Sequence, residues 1–327
     1  MARLDALPTP HDRLVKWVFS RPETAAVLLR RVLPPKVLAC LDLERIHVVS
    51  TSLVGPRLGL GHSDLIYSIG VRGSSERLMV FAAIEHQSSP SPLMPLRMVR
   101  YVVWVWERHL AMAGSQARTI PLVFPIVMVQ RPSKWNGPNR LSELFEIPDA
   151  LDGVLRPPVE LELYIDDMSE SVLDDPVASP EVLALVELTR ALMVAYHDRA
   201  SLTDARIEQL APLFDRVLRH RREDAEALWT YVVHCFDDDS PVLEMLLNAV
   251  SKENQAMGRT YREAWLEEGM AKGMAKALLQ LLEHRRVPIS SEQQRRVLTT
   301  QDEPTLERWF QRALCADSVE RVFEPVA

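Results

Sequence analysis

Asp64 and Glu85 stand 21 residues apart, each inside an apolar run: His62-Ser63-Asp64-Leu65-Ile66-Tyr67 and Ile84-Glu85-His86-Gln87-Ser88-Ser89. Both runs read as β-strands. A carboxylate there is costly to bury unless it is paired or binds a metal. Two of them on neighbouring strands are a site for a hard cation. Magnesium favours one or two carboxylates together with water and the substrate's own phosphate oxygens, and such an ion promotes phosphodiester hydrolysis by neutralising charge and supplying hydroxide. Asp64 and Glu85 would donate the carboxylates, and the backbone carbonyl of His86 a third oxygen. Gln87, two residues past Glu85, shares its face of the strand. A neutral amide there orients water or bonds phosphate, so more of the activation falls to the metal. Each residue also has a plainer role: Asp64 as a bulge cap or an arginine partner, Glu85 as an edge residue, His86 as a packing residue.

The elements that must position these residues follow from periodicity. Leu14, Val15, Val18 and Phe19, then Ala25, Ala26, Leu28, Leu29 and Val32, have helical spacing, broken near Arg21-Pro22 and stopped by Pro34-Pro35. A short helix over 37–43 leads to a strand at 46–49. His62 to Val71 and Leu78 to Glu85 read as a hairpin joined by Arg72-Gly73-Ser74-Ser75, which would put Asp64 and Glu85 on adjacent strands. A long helix over 93–113 follows, then a buried strand over 121–129, and a further strand over 161–165 ending in Asp166-Asp167. The order β-β-α-β indicates a mixed sheet with helices packed on it. On the long helix, Arg97 and Arg100 at i and i+3 form one stripe suited to phosphates, or equally to a solvated face or an intramolecular ion pair.

From Pro180 onward the chain reads as helical, in segments near 181–198, 204–222, 224–236 and 240–256. The repeat Gly269-Met270-Ala271-Lys272-Gly273-Met274-Ala275-Lys276 reads as a solvated helix or short coiled coil, and 290–323 as a final helical module anchored by Trp309-Phe310.

At 327 residues two domains are expected rather than one. The net charge of −7 conceals an asymmetry. Residues 1–150 carry 18 Lys/Arg against 12 Asp/Glu, and the remainder 20 against 33. The first part alone suits phosphate binding. Cys40, Cys235 and Cys315 form no CxxC pair and read as small buried hydrophobes in a reducing compartment. The N-terminus has no apolar core of a secretory signal, and 93–113 carries too many charges for a span, so a cytoplasmic protein without a membrane partner is expected. No nucleophile elbow, P-loop or HExxH motif occurs, and the GxGH near Gly59 is not followed by a helix, which removes the main competing enzyme classes.

The chain resembles the recombination-promoting nuclease (Rpn) family, also known as YhgA-like transposases, of the PD-(D/E)XK nuclease superfamily. The resemblance rests on His11-Asp12 with Lys16 and Phe19, on Leu33-Pro34, and on Ser63-Asp64-Leu65-Ile66-Tyr67-Ser68. It rests further on Ile84-Glu85-His86-Gln87-Ser88-Ser89-Pro90 followed by Met94, Arg97, Arg100 and Tyr101, and on Pro121-Leu122-Val123-Phe124-Pro125-Ile126-Val127. It spans about residues 10–250, and the C-terminal part is similar to a small helical domain appended to such nucleases. Gly55-Pro56-Arg57-Leu58 lacks the acids that many relatives carry there, and Val127 to Arg131 lacks the Tyr-His-Gly that often follows.

The resemblance implies an α/β fold with a PD-(D/E)XK-like restriction-endonuclease core followed by a mostly helical C-terminal region. The corresponding divisions are 1–170 as nuclease domain, 171–257 as helical extension, and 258–327 as charged helix plus terminal module. It implies DNA endonuclease chemistry dependent on magnesium, or on manganese in its place, linked to recombination or mobile elements. Asp64 and Glu85 are the implied metal ligands, Gln87 occupies the superfamily's lysine position, and Lys16 joins Arg97 and Arg100 as a contact to double-stranded DNA. Homo-oligomers through the C-terminal helices are a further expectation. Two alternatives stand beside this reading: a catalytically weak DNA-binding or interaction protein that keeps the fold, and an acidic helical half that acts as a scaffold.

Overall fold

The computed structural model describes residues 10–49, 65–75, 77–85, 91–114, 118–130, 135–151, 154, 159–237 and 241–324, with backbone only at 78, 81–85 and 151. These form two compact units, 1–254 and 255–327.

The first unit opens with α1 (Pro10–Phe19), α2 (Pro22–Val32) and α3 (Pro35–Cys40). Proline at the start of α2 and α3 suits a position whose N–H has no intrahelical acceptor. The short helix expected over 37–43 ends at Cys40. Residues from Leu41 already belong to strand β1 (Leu41–Val49), because they pair with β2 (Leu65–Val71) across a bulge between Asp42 and Ile46. Ladder hydrogen bonds outweigh local helical spacing there.

Strands β2 and β3 (Arg77–Glu85) form the anticipated antiparallel hairpin, turned at Gly73, whose φ of +71° favours glycine. Helix α4 (Met94–Ala113) then crosses to β4 (Val123–Val129), which lies parallel to β3. Strand β5 (Tyr164–Asp167) lies parallel to β4, so the sheet order is β1-β2-β3-β4-β5. This is the mixed α/β architecture expected. The last strand starts at Tyr164 rather than at Leu161 and ends in Asp166 and Asp167 as expected.

Successive strand residues face opposite sides of a sheet. On one face Ile66, Val127 and Val129 pack with Met94, Met98, Tyr101, Val102 and Val105 of α4. On the other Tyr67 is fully buried, and its hydroxyl donates to the Phe19 carbonyl at the end of α1 (2.9 Å). That second face is roofed by α1, α2 and α5 (Pro180–His197), with α6 (Asp204–His220), α7 (Arg222–Phe236) and α8 (Val242–Ala249) packed outside. Ser179 and Thr203 cap α5 and α6 by accepting from Val182 and Arg206 N–H. Helix α1 is clamped to α7, because Asp224 accepts from Trp17 Nε1 (2.9 Å) and from both terminal nitrogens of Arg21 (2.7 and 2.5 Å). His11 Nδ1 lies 2.8 Å from the Tyr231 hydroxyl on the same helix pair.

Helix α9 (Lys252–His284) leads into the second unit, with α10 (Ser291–Thr299), α11 (Glu303–Ala313) and α12 (Val319–Phe323). The glycine-containing repeat is not solvated all round. Its Ala271 and Ala275 continue through Leu278 and Leu282 as a buried stripe against Val297, Leu306, Trp309 and Val322. Trp309 is an anchor of this core, as its sequence suggested.

The cysteines depart from expectation. Only Cys235 is buried, and burial pushes its thiol up to about 12, whereas Cys40 and Cys315 are exposed. Among the described residues no helix is long and apolar enough to cross a membrane.

Candidate active site

Parallel strands bring their carboxyl ends to one margin of a sheet, where open α/β sheets bind ligands. Here Glu85 of β3 is in register with Val129 of β4, and Val129 with Asp167 of β5. Strand β2 runs the other way, so its first residue lies at this same margin. Leu65, the residue after Asp64 in the chain, is paired with Ala82, three residues before Glu85. Asp64, His86 and Gln87 lie outside the described residues, as does the side chain of Glu85. Among the described residues no group of three His, Cys, Asp or Glu side chains is set to hold a metal. The carboxylate donors expected for it fall outside that search, and hard oxygen donors of this type suit magnesium.

Helix α4 begins nine residues after Glu85, and Met94 and Met98 of its first turns belong to the cluster that covers one face of the sheet. It carries two of the three cations expected on DNA. Arg97 is half-buried; its Nε donates to the Tyr101 hydroxyl at 2.9 Å, and its guanidinium lies 5.6 Å from that ring's centroid. Arg100 is exposed on the outer surface of the helix. Lys16 is not brought together with them: it sits on α1, in the helix layer that covers the opposite face of the sheet.

Behind the margin lies a buried ionic network that sequence reasoning did not find. Asp166 and Arg190 are each 1% exposed. Arg190 Nη1 donates to Asp166 Oδ2 (2.6 Å), Nη2 to the Asp167 carbonyl (2.5 Å) and Nε to the Glu170 carbonyl (3.3 Å). Arg31 Nε on α2 lies 3.4 Å from Asp166 Oδ1 and completes the pairing. Glu187, also buried, accepts from Ser171 and Val172 and pairs with Arg206 (2.6 Å). These bonds fix the turn after β5 onto α2, α5 and α6. The signal was present: Asp166 closes an apolar segment, and Arg190 interrupts the run Leu188-Thr189-Arg190-Ala191-Leu192. A charge in such a place needs a partner.

His11 and Asp12, which carried part of the family resemblance, are buried, and His11 is ringed by Tyr196 (centroids 4.2 Å apart), Tyr231 (5.4 Å) and His197 (6.2 Å). His11 thus faces the α5 and α7 packing surface.

Residues 9–223 match the family described as "Putative transposase, YhgA-like". Recombination-promoting nuclease RpnC of Escherichia coli (strain K12) is 37% identical over 123 residues, covering 37% of this chain and 39% of the relative. Recombination-promoting nuclease RpnD of Escherichia coli O157:H7 is 33% identical over 119 residues, 36% of this chain and 44% of the relative. The chain spans about two fifths of the length of these two. A third relative, named Inactive recombination-promoting nuclease-like protein RpnE, of Escherichia coli (strain K12), is 25% identical over 292 residues, 84% of this chain and 90% of the relative. No solved structure matches the chain.

Proposed function

As the chain belongs to the YhgA-like transposase family, we propose that it is a metal-dependent DNA endonuclease that hydrolyses phosphodiester bonds in a recombination or mobile-element setting. The observation that carries this reading is the shared margin: β3 ends at Glu85 where β2 begins just after Asp64, beside the carboxyl ends of β4 and β5. In this reading the carboxylates of Asp64 and Glu85 and the carbonyl of His86 hold magnesium or manganese. The ion supplies charge neutralisation and an activated water. Gln87 orients that water through its amide, and Arg97, presented at the opening of α4, holds a phosphate of the duplex. The names of RpnC and RpnD agree with nuclease chemistry.

A second reading has its own support. The relative that aligns over most of the chain is named inactive, and Gln87 lacks the charge of a lysine. This reading keeps the fold and DNA binding without turnover. Nicking of supercoiled plasmid, with and without magnesium, beside Asp64→Ala and Glu85→Ala, separates the two. The nuclease reading expects magnesium-dependent nicking that both substitutions abolish; equal nicking by wild type and both purified variants would overturn the site, and DNA binding without nicking would favour the second reading.

A further inference from the structure

The inner face of α4 is spent on the sheet, but its outer face is also apolar. Leu96, Val103 and Leu110 recur every seven residues and are 45%, 39% and 42% exposed. Val99 and Trp106, half-buried, complete a 3-4 alternation on the side where this stripe meets the core. That is the seam pattern of a helix with a second helix to pack on. Among the described residues nothing is bonded to Arg100 or Glu107, which flank the seam on one side, one turn past Leu96 and Val103 respectively.

We propose that this outer face of α4 pairs with the same face of a second copy of the chain, antiparallel, across a two-fold axis. The choice of occupant rests on charge. The flank holds one cation and one anion seven residues apart, so it is complementary to itself when reversed. In the antiparallel register that sets Val103 against Trp106 of the second copy, and Val99 against Leu110, Arg100 lies beside Glu107 of the second copy. The two-fold axis makes that bridge twice. A parallel pairing would instead set this flank against Pro95, Val102 and His109, which offer no carboxylate. Arg100 then serves the second copy rather than DNA, and self-association lies in the first unit rather than in the C-terminal helices, whether or not the chain cleaves DNA.

A seam of under three heptads is at the small end of specific interfaces, so a dissociation constant in roughly the micromolar range is expected. Sedimentation equilibrium of the full chain reads it directly. Val103→Asp, at an exposed position that leaves the fold intact by circular dichroism, should raise the constant at least about 100-fold, since it sets a carboxylate in the middle of the seam. Arg100→Glu and Glu107→Arg should each weaken association roughly tenfold by placing like charges together, and the combined R100E/E107R variant should return to within about threefold of wild type. Recovery in the double variant is something that misfolding cannot imitate. A wild-type chain that stays monomeric throughout, a particle mass unmoved by Val103→Asp, or charge swaps without effect would each overturn the proposal.

Discussion

Replacing Asp166 by alanine should destabilise the first unit by about 3 kcal/mol. The value comes from the bonds that are lost and those that remain. Arg190 keeps its charge and its burial but loses the 2.6 Å contact to Asp166 Oδ2. Removing one member of a buried pair costs roughly 3–5 kcal/mol, because the other charge is left uncompensated. The lower end applies here, since Arg190 still donates to the carbonyls of Asp167 and Glu170. Arg31, partly exposed, keeps its bonds to the Ser171 carbonyl and the Glu170 carboxylate and so loses little. For a unit of this size, about 3 kcal/mol lowers the melting temperature by roughly 6–12 °C. Urea unfolding followed by tryptophan fluorescence measures the loss. The paired replacement Asp166→Leu with Arg190→Met removes both charges and should recover most of it, because an apolar substitute avoids desolvating two ions. A cost below about 1 kcal/mol for Asp166→Ala would refute the reasoning. So would a double variant as unstable as the single, for then volume rather than charge is what the site needs.

Three further outcomes follow from single contacts. Tyr67→Phe removes the buried donor to the Phe19 carbonyl and should cost about 1–2 kcal/mol in the same unfolding experiment, without altering the circular dichroism spectrum. In native protein a thiol reagent should label Cys40 and Cys315 quickly and Cys235 only after denaturation, since burial holds the Cys235 thiol protonated up to about 12; three rapid equivalents would contradict the packing of α7. Burial pushes the Asp175 carboxyl up, but the Arg30 bond (2.7 Å) and the Val177 and Ala178 N–H groups outweigh it and leave the group below its ordinary value. Its contribution is therefore full above the unfolded carboxylate value near 3.9 and lost as pH falls through the lower folded value, so the stability gap between wild type and Asp175→Asn should be constant near pH 6 and shrink below about pH 4.

The sheet was legible where apolar runs and punctuation agree. The β2–β3 hairpin announced itself through Arg72-Gly73-Ser74 between two apolar runs, and β4 through Val123 to Val129. The error at Leu41 to Leu43 arose because helical spacing is a local signal, whereas pairing with Val71 and Gly70 is not. Of the site, the adjacency of the two strands was readable from hairpin logic. The grouping of cations was not: Lys16 and Arg97 fall on opposite sides of one sheet, and no spacing in the chain records which face a helix will cover. Asp166 and Arg190 each stood out as a charge in an apolar run, but that they partner one another, 24 positions apart through tertiary packing, was not readable. The stripe at Ala271 and Ala275 shows the converse. Small residues every four positions already carried the information, but lysines beside them made the helix look wet.

The clamp between α1 and α7 bears on how the chain can be made. Arg21 and Asp224 are 203 residues apart, so at synthesis rates of about 5–20 residues per second the anchor of the first helix does not exist until roughly 10–40 s after that helix emerges. Throughout that interval Leu14, Val15, Val18 and Phe19 have no final roof. Helix α1 is thus made early and locked late, and a ribosome that stalls before residue 224 leaves a chain in which the apolar face of α1 has lost its final cover.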